Sequence, residues 1–262
     1  MSNYPVINNV MGHLERDESA DFGEHNLESC SICRELKHEK NIICGSERFV
    51  AFPDIGQIVE GYVQVVTRWH KLQEELTSVG QIPSEWIPEL QKFIVAMQEG
   101  VESIYGPSII FEHGEVPTYR KDGRIRTVHM HMHIIPTNQS LLDQITNSNI
   151  FTVKPIDDLT PLREKSASGE PYYFYQDLNR QNYLLEFGEE LPSQILRKLV
   201  SGLPKVTERN QHWLKENQSE VQLNNCWECM AFRPADRFYA TVRKLRQEYL
   251  NRNTNTTQAE VK

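Results

Sequence analysis

The 262-residue chain is best approached through what it lacks. No apolar run approaches the roughly 20 residues needed to cross a bilayer as a helix. Residues 1–19 are polar and carry Glu15 and Asp17, unlike the apolar stretch of a secretory leader. These two absences lead us to expect a cytoplasmic protein with no membrane partner. There is no excess of positive charge. The formal net charge is −8, which argues against general binding to nucleic-acid backbones, although a single nucleotide held by a few local groups remains compatible. There is no internal repeat. Cysteine is scarce, with five in all. Four of these form two C-x-x-C pairs, Cys30/Cys33 and Cys226/Cys229, and in a chain without an export signal such pairs suggest metal or redox chemistry before structural disulfides.

What is present centres on Val128-His129-Met130-His131-Met132-His133-Ile134-Ile135-Pro136. Side chains alternate faces along a strand, so His129, His131 and His133 share one face and Met130, Met132 and Ile134 the other. Three imidazoles in register can bind metal, hold phosphate or include a nucleophile. Around this strand the chain reads as mixed. Residues 41–44, 48–52, 62–67 and 108–111 have strand character, rich in β-branched and aromatic residues. Ile87, Leu90, Ile94, Met97, Val101 and Ile104 form one apolar helical stripe, with Ser84 as its cap, Pro88 in its first turn and Gly106-Pro107 as its stop. A polar loop over 115–123 then leads to the histidines. Beyond Pro136, residues 150–153 read as a strand and 157–169 as a loop. Residues 172–175 and 183–187 read as a hairpin about Asp177-Leu178-Asn179-Arg180. Helices are expected over 192–201 and 234–249, and a polar, disordered tail over 251–262. Cys226 and Cys229 can join the first pair, form a site with His212, or be buried thiols; we read them as buried thiols.

His129-Met130-His131-Met132-His133-Ile134-Ile135 matches H-φ-H-φ-H-φ-φ, the signature of the histidine-triad (HIT) family. The rest of the resemblance follows in order. A C-x-x-C precedes Phe52-Pro53-Asp54-Ile55, then a glycine-led strand runs from Gly61 to His70, followed by the long helix and Phe111-Glu112-His113-Gly114. The resemblance covers residues 27–140. It divides the chain into an N-terminal arm (1–26), a HIT domain (27–140), a C-terminal extension like that of some bacterial triad proteins (141–250) and the tail (251–262). It implies an α+β fold, an antiparallel meander sheet with packed helices plus an α/β extension, and a homodimer.

The same resemblance implies chemistry at the α-phosphate of a nucleotide substrate, as a phosphoramidase or dinucleoside polyphosphate hydrolase. His131 would be the nucleophile, its other nitrogen held by a backbone carbonyl, and His133 would bind the phosphate. Asp54 would take the ribose hydroxyls, with His113, Arg126 and Thr127 also in the nucleotide pocket. A structural zinc would be held by Cys30, Cys33, His70 and His129. The sequence departs from the pattern twice. Glu112-His113-Gly114 stands where many members have Asn-x-Gly, and Ile125-Arg126-Thr127 where many have a Gly-Gln-Ser/Thr run. Loss of that glutamine admits a rival reading, a nucleotide-binding or adaptor protein without turnover. A tri-histidine metal hydrolase is weaker, since no neighbouring carboxylate is evident as its general base.

Overall fold

The computed structural model describes residues 30–54, 56–69, 76–114, 129–188, 195–204, 206–208 and 235–260. The strands of these segments form one open, antiparallel, eight-stranded sheet. They are β1 (Cys44–Gly45), β2 (Phe49–Pro53), β3 (Val63–Thr67), β4 (Ser108–Gly114), β5 (His131–Pro136), β6 (Phe151–Ile156), β7 (Tyr172–Gln176) and β8 (Asn182–Phe187). Their order is β1-β2-β3-β5-β4-β7-β8-β6. The sheet therefore departs from a simple meander. After β3 the chain passes through α2 (Ile87–Tyr105) and lays down β4 one strand-width further out, and β5 returns into the gap. The sheet also runs without a break across residue 140, because β7 pairs with β4.

The period-2 pattern of the strands gives the sheet two apolar faces. One carries Ala51, Val65, Met132, Ile134, Ile110, Tyr172 and Phe174, packed under Leu90, Phe93, Met97 and Val101 of α2. Each such side chain, removed from water, contributes about 1.5–3 kcal/mol. Helix α2 begins after a 3-10 turn over Ser84–Trp86, so Trp86, and not Ser84, is its N-cap. It ends at Gly106, whose φ of 89° is a left-handed conformation that suits glycine. The opposite face carries Val50, Phe52 and Val66 at one end and Phe111, Tyr173, Tyr175 and Leu185 at the other. The histidines lie between these two groups.

The remaining helices are α1 (Ser31–Leu36), α3 (Leu142–Asn147), α4 (Thr160–Ala167), α5 (Ile195–Ser201) and α6 (Ala235–Glu260). Two of them correct the sequence reading. Helix α4 occupies a stretch expected to be loop: Pro at the helix start fixes a compatible φ, and Leu162 alone anchors it in the core. Helix α6 continues to Glu260, through residues expected to be disordered. It is held by Phe238, Val242, Leu245 and Tyr249, the stripe anticipated for it, and Tyr249 donates to Met97 Sδ at 3.0 Å. Of the first expected strand, residues 41–44, only Cys44 is in a strand, β1; Asn41 ends a 3-10 turn (Glu39–Asn41), and Ile42 and Ile43 connect the two. The β7–β8 hairpin forms as expected. Asp177 Oδ1 accepts the N–H groups of Asn179 and Gln181, each at 2.9 Å, closing the turn.

Candidate functional site

Strand β5 lies between β3 and β4, and its register sets the site. Gln64 faces His133, Val66 faces His131 and Phe111 faces His133. Opposite residues in an antiparallel pair share a face. His113, two residues beyond Phe111, thereby comes beside His131, with ring centroids 4.9 Å apart. The His131 and His133 rings are 4.8 Å apart.

His129 precedes the first residue of β5 and points toward α1. Its Nδ1 lies 3.5 Å from Cys33 Sγ and 3.9 Å from Cys30 Sγ. Its Nε2 lies 2.8 Å from the Thr67 carbonyl, an acceptor only, so Nε2 carries the proton and Nδ1 presents a lone pair to the sulfurs. Cys30 Sγ also accepts the N–H of Cys33 at the start of α1, at 3.5 Å. The Cys30 hydrogen bond and burial push the Cys33 thiol far up. Cys30, Cys33 and His129 are buried and have the donor set to hold a metal ion.

His131 is half-buried. Its Nδ1 donates to its own strand, at 2.6 Å from the His129 carbonyl, which leaves Nε2 as a lone pair. Burial, then His133 and His113, hold its pKa well below the ordinary value, so it is neutral at pH 7. His133 is fully buried. Its Nδ1 lies 2.7 Å from the Tyr62 hydroxyl and 3.6 Å from Asp54 Oδ2, and its Nε2 has no hydrogen-bond partner among the described residues. Burial lowers its pKa, Asp54 opposes that and Arg197 adds to it. The Tyr62 hydroxyl decides the tautomer of His133. When it accepts from Nδ1–H, Nε2 is left bare; when it donates to Nδ1, the proton sits on Nε2.

Asp54 accepts three hydrogen bonds from protein groups. Its Oδ1 accepts from Gly56 N at 2.6 Å and Arg197 Nη2 at 2.8 Å, and its Oδ2 from Gln64 Nε2 at 2.7 Å. Burial pushes its carboxyl up, but Arg197 and His133 outweigh that and keep it below the usual range. Arg197 comes from α5, reaches the Gly56 carbonyl at 3.0 Å and lies over the Tyr62 ring. The turn between β2 and β3 is clasped again from α6. There Thr241 accepts from Gly61 N at 2.9 Å, and Arg237 donates to the carbonyls of Gln57 and Ile58.

The structure therefore brings Asp54, His113, His131 and His133 together, and places Cys30, Cys33 and His129 at the adjoining end of the same face. His70, Arg126, Thr127, His212, Cys226 and Cys229, the N-terminal arm and the loop over 115–123 lie outside the described residues. Sequence reasoning missed Tyr62, Gln64 and Arg197. Tyr62 and Gln64 carry the i, i+2 spacing of a strand face, a signal that was available. Arg197 is 143 positions from Asp54 and carried none.

The histidine pKa values set a pH dependence. Burial, with His133 and Arg197 alongside, pushes His113 down to about 3, from 6.5. Its folded value is the lower one, so the unfolded chain binds the extra proton. Its contribution is complete above about 6.5 and is lost as pH falls toward about 3, at up to about 1.4 kcal/mol per pH unit. His131 and His133 are shifted the same way and add to the loss. The urea midpoint of chelator-treated protein should drop between pH 7 and pH 5, and less steeply in His113→Asn. An unchanged midpoint over that range would refute the neutral, buried imidazoles.

No protein-family model matches the chain, and no curated protein matches it. No helix among the described residues is long and apolar enough to cross a membrane.

Proposed function

We propose that the chain is a histidine-triad enzyme, a nucleotide hydrolase or transferase working at an α-phosphate through a covalent nucleotidyl-His131 intermediate. The observation that carries this reading is the 2.6 Å bond from His131 Nδ1 to the His129 carbonyl. It leaves Nε2 unprotonated, on a ring that burial keeps neutral, which is the form a nucleophile needs.

In the first step the Nε2 lone pair attacks the α-phosphorus, and the bond from phosphorus to the leaving group breaks. The electron pair leaves with that group, which takes a proton if its own basicity requires one. The imidazolium that forms keeps its Nδ1–H on the His129 carbonyl. His133 contributes when Tyr62 donates to its Nδ1, because Nε2–H then points a donor at a phosphate oxygen. In the second step water attacks phosphorus, the N–P bond breaks, the pair returns to Nε2 and the proton of water is released. A transferase replaces water with another nucleophile. Asp54 would offer ribose hydroxyls only the acceptor capacity that Arg197, Gln64 and Gly56 leave.

Zinc is the metal we assign to Cys30, Cys33 and His129. Tetrahedral zinc with sulfur and nitrogen ligands sets S···N edges of about 3.6 Å. The distances of 3.5 and 3.9 Å bracket that value. Bound there, zinc would supply no chemistry; it would tie α1 to the start of the active strand.

The test is a panel of adenosine and guanosine phosphoramidates and dinucleoside polyphosphates labelled at the α-phosphate. Quenching in alkaline detergent should trap label on the protein as an alkali-stable, acid-labile phosphoramidate, absent from His131→Ala. Binding of nucleotide with no turnover and no label would sink the enzyme and leave the binding protein as the reading.

A further inference from the structure

We propose that His113, His131 and His133 form a second metal site, an all-imidazole pocket for a divalent transition ion such as Zn2+ or Co2+, separate from the cysteine knuckle. The pocket draws one ligand from β4 and two from β5. The three rings offer ligand nitrogens that all lie within 4.8 Å of one another. Tetrahedral binding at about 2.0–2.1 Å per nitrogen sets N···N edges of about 3.3 Å. Closing the gap takes a shift of one or two rings, and the ring free to make it is His113.

The unpaired nitrogens point the same way. Neither ring nitrogen of His113 has a hydrogen-bond partner among the described residues, and nor does Nε2 of His133. His113 is 6% exposed and His133 0%. A buried polar atom left unpaired is costly, and three of them meet at one spot on this sheet face. A cation with nitrogen ligands would partner two of them, one on each ring.

The outer partners also fit. Metal-binding histidines usually give their second N–H to a carbonyl or a carboxylate, which fixes the tautomer. His131 gives its Nδ1–H to the His129 carbonyl. His133 has Tyr62 and Asp54 at its Nδ1, and Asp54 is itself held by Arg197. With Tyr62 accepting from its Nδ1–H, His133 presents the bare Nε2 a metal requires. The phosphate-binding tautomer is the opposite one. An all-nitrogen set with no carboxylate among the ligands selects zinc, cobalt, nickel or copper over magnesium, calcium or manganese. His131 is the only one of the three rings with more than marginal exposure, so the fourth coordination position opens on its side.

A metal here takes the same His131 lone pair that would attack phosphorus. Resting on the catalytic reading above, metal binding and nucleotidyl transfer exclude each other, and the ion acts as a reversible inhibitor. The binding claim stands apart from that reading and is tested without activity.

The experiment titrates the chelator-stripped, full-length protein with Co2+ and follows its visible spectrum. The wild type should take up two classes of ion. One shows sulfur-to-cobalt charge transfer and disappears in Cys30→Ser. The other shows ligand-field bands alone and survives in Cys30→Ser. In His113→Ala the second class should weaken by more than about 100-fold, beyond the 10–100-fold typical of losing an outer partner. The thiolate class should remain in that variant, and reports that the protein is folded. His113→Gln, which keeps a polar side chain, should behave in the same way. A wild type that binds only the thiolate class, or a second class that persists at full strength in both His113 variants, overturns the proposal. If turnover is found, Zn2+ beyond the first equivalent should inhibit it and a chelator should restore it. If there is no turnover, the cobalt titration alone decides whether the three imidazoles bind metal.

Discussion

Arg197→Ala is expected to destabilise the protein by about 3–5 kcal/mol, because it strands a buried carboxylate. Asp54 is 1% exposed and Arg197 8%, with Nη2 2.8 Å from Oδ1. Without the guanidinium, Asp54 keeps only Gln64 and Gly56 and the field of a mostly neutral imidazole. It must then take a proton or draw in water. Arg197→Met combined with Asp54→Asn should cost much less than the sum of the single changes, since the pair is then removed together. Urea unfolding of the wild type, Arg197→Met, Asp54→Asn and their double, with Arg197→Ala beside them, checks the expectation. A loss below about 1 kcal/mol in Arg197→Ala would mean that the pair is solvated and that α5 is not anchored through it.

Ending the chain after residue 140 is expected to leave no cooperatively folded protein, although the triad resemblance stops there. The cut removes β7, the partner of β4 along Ile110 to Gly114. It also removes Tyr172, Phe174 and Leu184 from one side of the core, and Tyr173, Tyr175 and Leu185 from the other. An aromatic side chain buries about 150–250 Å2, so losing these rings would uncover the apolar surface they pack against, together with a bare strand edge. Near-ultraviolet circular dichroism and urea unfolding of the fragment decide the matter. A sharp, sigmoidal transition would show that the first five strands stand alone.

The sequence disclosed some of this and hid the rest for definite reasons. The alternation from His129 to His133 placed the imidazoles and Met130, Met132 and Ile134 on opposite faces, because strand period is a local property. The stripe from Ile87 to Ile104 announced α2 for the same reason. Helix α4 was hidden because only Leu162 of its residues is fully buried, and a single apolar residue has no period. The position of β4 depends on which strand reaches the gap beside β3, a contest settled by packing and not by local pattern. His113 was legible as a departure from a familiar motif; its place beside His131 needed the strand register. Arg197 sits on a short helix whose charge reads as surface, and its partner lies 143 positions earlier in the chain.

The continuous sheet also has a consequence in time. On a ribosome adding about 5–20 residues per second, β4 emerges with an unpaired outer edge, and β7 begins about sixty residues later, roughly 3–12 s afterwards. Helix α6, which clasps the β2–β3 turn, arrives later still. The site-bearing strands therefore meet the cell before their covers do. Folding of the face that bears the histidines is a late event that depends on the far end of the chain, and until then that edge is where a chaperone, or another nascent chain, would bind.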